Sequence, residues 1–77
     1  MTITIADLKQ VMRAIELDEE MVSRLDANAL LSEQGFASID YPAFAVAVEE
    51  RYGLRISDAE ALRLKTLADF ERCLNSK

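Results

Sequence analysis

Seventy-seven residues carry fourteen acidic and nine basic side chains, a net charge of −5, one cysteine and no histidine. The acidity argues against nucleic acid, which needs clustered Lys and Arg, and suits partners that carry basic patches. Without histidine there is no Ser–His or Cys–His pair and no histidine metal ligand, while a lone Cys73 excludes an internal disulfide framework and fits a reducing cytoplasm. No apolar run reaches the length of a membrane span, and Thr2–Ile5 is too short and too polar for a signal peptide. The length fits one domain with one small core, expected as a monomer.

In chain order, Thr4 with Asp7 three residues on reads as a helix start. Ile5, Leu8, Met12 and Ile15 then recur at spacings of three and four, the stripe of an amphipathic helix over about 4–16. Residues 17–37 lose that period. They contain Met21, Val22, Leu25, Leu30, Leu31 and Phe36, too many apolar groups for a free linker. The segment is expected to be pinned to the core, with a helical turn or two near 19–25 or 27–33.

A second long helix follows Gly35 and runs to Tyr52, with Gly53 as the stop. Pro42 favours a start between Ile39 and Tyr41, where its missing N–H costs nothing. On a helical wheel, Phe44, Val48, Tyr41, Tyr52 and Ala45 share the core side; Glu49, Pro42, Val46, Ile39, Glu50 and Ala43 share the other. A plain solvent face would be charged throughout. Ile39, Pro42 and Val46 beside Glu49 and Glu50 lean toward a contact surface. Ser57-Asp58-Ala59-Glu60 is a capping box that opens a short helix over about 58–64, and Thr66-Leu67-Ala68-Asp69 opens a last helix over about 67–75. Cys73 reads as a core or boundary residue, since no basic group is arranged to lower its pKa.

Ser38 stands at the mouth of the second long helix and has two readings. Its hydroxyl can cap the first-turn N–H groups. The same N–H groups and the helix dipole also favour a phosphate esterified to it. The chain has no Gly-rich phosphate loop, no Cys/His metal spacing and no Asp-x-Asp-x-Asp-Gly calcium loop. Nothing in it looks like a self-contained enzyme.

The ordered series from Leu25 to Leu74 resembles the acyl carrier proteins, the phosphopantetheine carriers of fatty-acid, polyketide and related pathways. The family's attachment motif is usually Gly-x-Asp-Ser-Leu-Asp or close to it; here it reads Gly35-Phe36-Ala37-Ser38-Ile39-Asp40. Glu49-Glu50-Arg51-Tyr52-Gly53, Ile56-Ser57-Asp58-Ala59-Glu60 and Thr66-Leu67 match the family's later landmarks. The resemblance implies an all-α fold, a small four-helix bundle with a long loop between its first two helices and a short third helix. It implies 4′-phosphopantetheine on the Ser38 oxygen, installed from coenzyme A by a phosphopantetheinyl transferase. An acyl or aminoacyl cargo would be loaded by a ligase as a thioester and presented to downstream synthase enzymes. Partner docking is expected at Ile39, Asp40, Val46, Glu49 and Glu50.

Two residues depart from the family pattern. Ala37 replaces an aspartate that helps the transferase recognise its carrier, and Ala43 replaces a common helix acid. Both point to a specialised member with dedicated partners. They also leave open an unmodified interaction module that docks through the same helix.

Overall fold

The computed structural model describes residues 2–77. Among them are five α-helices and one 3-10 turn, with no strand. Helix α1 (Ile5–Ala14) starts at a complete capping box: Thr4 Oγ1 accepts the Asp7 N–H at 3.1 Å, and Asp7 Oδ2 accepts the Thr4 N–H at 2.9 Å. Its stripe buries Leu8, Val11 and Met12. The helix ends at Ala14, two residues short of the expected boundary, because the chain turns through a left-handed Glu16 (φ 63°).

The stretch near 19–25 forms α2 (Glu19–Arg24), capped by the Asp18 carboxylate on the Met21 N–H. Its one buried residue is Val22, which is why no clean period marks it. The long connection that follows is pinned, as expected. Leu25, Leu31 and Phe36 are buried. The Leu31 N–H donates to the Lys65 carbonyl at 3.0 Å, and the Ala68 N–H donates to the Ala27 carbonyl at 2.9 Å. Gln34 stitches the loop to itself, its Oε1 accepting the Asp26 N–H at 2.7 Å and its Nε2 donating to the Ala29 carbonyl at 3.1 Å. These bonds satisfy backbone groups that a buried loop would otherwise leave unpaired.

Helix α3 (Asp40–Tyr52) begins inside the expected window and ends at Gly53, whose φ of 65° is the left-handed stop that glycine adopts without a Cβ penalty. Pro42 falls in its first turn, where an N–H has no intrahelical partner. Helix α4 (Asp58–Ala61) is shorter than 58–64, because Arg63 and Leu64 bond back to the carbonyls of Glu60 and Ala61 in a tighter turn. Helix α5 (Leu67–Asn75) starts at the Thr66–Asp69 box and buries Leu67, Phe70 and Leu74.

Thus α1, α3, α4 and α5 are the four expected helices, with α2 set into the long connection. The core joins Phe44 and Phe70, edge to face at 4.9 Å, with Phe36, Tyr41 and the α1 stripe. The two ends meet: the Ile3 N–H donates to Asn75 Oδ1 at 2.8 Å and Asn75 Nδ2 donates to the Ile3 carbonyl at 2.8 Å. This holds the buried Ile3 against the end of α5.

Candidate functional site

The Ser38 segment is fixed from both sides. Gly35 takes φ 91°, a conformation L side chains rarely adopt, and turns the chain so that Phe36 drops into the core. Phe36 packs edge to face on Tyr41 at 4.8 Å, which ties the turn to the first coil of α3. Between these anchors Ala37, Ser38 and Ile39 are left exposed.

Ser38 does not act as the cap. Helix α3 starts without a side-chain cap. Its start is closed instead by Asp40, whose Oδ2 accepts the Ala37 N–H at 3.0 Å while the Asp40 N–H donates to the Ala37 carbonyl at 2.9 Å. The Ser38 hydroxyl therefore has no structural duty among the described residues and stands free in solvent beside the positive end of a thirteen-residue helix.

Beside it runs a cleft of about 560 Å³ between α3 and the α4 region, lined in part by Ser38 itself. Pro42, Ala45 and Val46 form one wall, Ile56, Ala61 and Leu62 the other, and the buried Leu64 and Phe70 the floor. Ser32, Tyr41 and Lys65 also line it, as do Glu49 and Asp58. Burial raises the pKa of the Tyr41 phenol, partly offset by the nearby Ser32 backbone. The cleft's volume and mostly apolar lining are those of a small-ligand site.

The other expected site residues lie along α3. Ile39 is 78% exposed and Val46 50%, while Phe44 and Val48 are fully buried, so the helical register follows the wheel. Glu50 is exposed. Glu49 is half-buried, and its Oε2 accepts the Ile56 N–H at 2.7 Å, tying α3 to the approach of α4. Leu62, 74% exposed on the opposite lip of the cleft, joins the apolar surface. No periodicity marked it, nor Ala61 and Lys65, since the cleft depends on how two helices face each other.

A phosphopantetheine group fits these residues. The serine oxygen is exposed and uncommitted, the neighbouring N–H groups suit a phosphate, and an apolar cleft opens at the same point. A family profile described as "Phosphopantetheine attachment site" matches residues 6–74, nearly the whole chain. No curated protein and no solved structure gives a significant match. The profile spans α1 through α5, and the all-helical fold accords with it: the chain belongs to the phosphopantetheine attachment-site family, that of the acyl carrier proteins, and its domain is one to which 4′-phosphopantetheine is covalently attached.

Proposed function

We propose that Ser38 is the attachment residue and that the chain carries an acyl or aminoacyl group for fatty-acid, polyketide or related biosynthesis. The bound group supplies a terminal thiol that holds the cargo as a thioester. The protein supplies position: Ser38 fixes the arm's root, and the adjoining cleft offers apolar cargo shelter from water. Catalysis belongs to the partners, which are a phosphopantetheinyl transferase, a loading ligase and downstream synthase enzymes. Those partners dock on the α3 face, with Ile39 and Val46 at the centre and Asp40, Glu49 and Glu50 around them. The cytoplasm is the compartment this implies.

The observation that carries the reading is the free, exposed Ser38 hydroxyl at the mouth of an apolar cleft. Intact mass after incubation with coenzyme A and a broad-specificity transferase tests it. Wild type gains one phosphopantetheine group, and Ser38→Ala gains none while staying folded. No gain with several transferases would overturn it in favour of an unmodified module that docks through Ile39 and Val46.

A further inference from the structure

Among the described residues, Lys65 is the one cationic residue lining the cleft. It lies in the short segment between α4 and α5, and both its backbone groups are committed. Its N–H donates to Asp69 Oδ2 at 3.0 Å and its carbonyl accepts the Leu31 N–H at 3.0 Å. The residue is exposed, and its ammonium takes part in none of the four ion pairs among the described residues.

Lys65 and Ser38 line the same cleft. The Leu31 N–H bonds to the Lys65 carbonyl, the next residue Ser32 lines the cleft together with Tyr41 and Ser38, and Tyr41 lies three residues beyond Ser38. The cleft also has two carboxylates. Glu49 is bonded to the Ile56 N–H and Asp58 follows two residues later. Although its backbone N–H meets the Asp69 carboxylate, the Lys65 ammonium is outside every ion pair among the described residues, and an ester on Ser38 would add an anion to the same cleft. Resting on the assignment of Ser38, we propose that Lys65 is a positioning residue: its ammonium pairs with the phosphodiester borne by Ser38 and draws the arm along the cleft.

The arm's terminal thiol reports this directly. In a Cys73→Ser background, which removes the competing thiol, modified wild type, Lys65→Gln and Lys65→Arg are compared for the rate at which a neutral water-soluble reagent alkylates the arm. Pairing at a partly exposed site corresponds to about a two- to fivefold effect. Lys65→Gln is therefore expected to react about two to five times faster than wild type, and Lys65→Arg at the wild-type rate. The difference should shrink in 1 M salt, where the Debye length falls to about 3 Å. Equal rates for all three proteins overturn the proposal, as do equal increases for Gln and Arg, which would mean that charge is not the cause. Intact mass is read first. Its failure to rise in wild type overturns the Ser38 assignment and this proposal with it, whereas a normal gain followed by equal rates overturns this proposal alone.

Discussion

Asp40 Oδ2 accepts the Ala37 N–H at 3.0 Å, and the Ala37 side chain returns nothing. The spacing is that of a capping box, and α1, α4 and α5 all have the complete version: Thr4 with Asp7, Ser57 with Glu60, Thr66 with Asp69. In each, a hydroxyl also accepts the N–H three residues on. At α3 that half is missing, so among the described residues the helix that follows Ser38 is the one long helix whose start lacks a side-chain cap acceptor. The departure at Ala37 is thus structural.

Supplying the acceptor should strengthen the helix start. Ala37→Ser, which adds no charge, is expected to raise stability by about 0.5–2 kcal/mol, the usual worth of an N-cap side chain. Ala37→Asp should do the same and also speed modification by a standard transferase, by returning an acid beside Ser38. Urea denaturation reads the first effect and time-resolved intact mass the second. Unchanged midpoints for both variants would mean that the Ala37 carbonyl already satisfies the Asp40 N–H as well as a side chain does.

Glu49 and Glu50 are neighbours in sequence with different duties. Glu49 holds the Ile56 N–H at 2.7 Å, whereas Glu50 is exposed. A hydrogen bond to a charged acceptor contributes about 1.5–3 kcal/mol, and surface changes stay within about ±0.5 kcal/mol. Glu49→Ala should therefore lower stability by about 1.5–3 kcal/mol, with Glu50→Ala close to silent. Equal losses in chemical denaturation would show that the Glu49–Ile56 bond contributes nothing beyond surface charge.

Helix starts were legible because caps are local chemistry. Thr4, Ser57 and Thr66 each announce a helix with an acid three residues on, and each starts one. The register of α3 was legible because Phe44 and Val48 repeat with the helical period. Ser38 as a cap was a sound local inference that tertiary structure set aside: Phe36 is buried and Tyr41 packs on it, which places the helix start two residues further on. The helix at Glu19–Arg24 gave only a weak signal, since six residues that bury Val22 alone have no period to read. The cleft was beyond sequence reading altogether. Ala45 and Ala61 leave room in it only because α3 and the α4 region face each other across Leu64 and Phe70.

Acid should expose the Glu60 linkage. Its carboxylate accepts from the Lys77 ammonium at 2.7 Å and from the Ser57 N–H at 3.0 Å, with a weaker bond from the Cys73 thiol. These hold its pKa at about 2, against a usual 4.5. Asp69 shifts the same way: burial raises its pKa, and the bonds from the Lys65 and Thr66 N–H groups outweigh that and lower it. Carboxyls with depressed native pKa values stabilise the fold above their unfolded pKa and lose that contribution as pH falls toward the folded one. Melting temperature should therefore hold from neutral pH to about 5 and decline toward pH 2. Lys77→Met should flatten the decline by removing the largest cause of the Glu60 shift. Identical profiles for wild type and Lys77→Met would show that the ion pair does not form in solution.

The α3 face separates binding from folding within one helix. Phe44 is fully buried against Phe70, whereas Val46, two residues on, is 50% exposed, with Ile39 at 78% two turns below. On the proposed docking mode, a partner reaching Ser38 would meet Ile39 first and Val46 next, with Glu50 beside them on the wheel. Apolar centres of interfaces set affinity, while rim charges act mainly on association rate and its salt dependence. Val46→Asp is accordingly expected to weaken binding to a transferase or loading ligase by about 1–2 kcal/mol with little loss of stability. Glu50→Lys should slow association and flatten its response to salt. Phe44→Ala should instead cost about 3–5 kcal/mol of stability as a large core truncation. Calorimetric melting and surface-immobilised binding kinetics on the same four proteins, wild type included, decide the matter. A Val46→Asp protein that binds with wild-type affinity would remove the α3 face as the docking surface and leave the α4 lip around Leu62 as the remaining apolar contact beside the cleft.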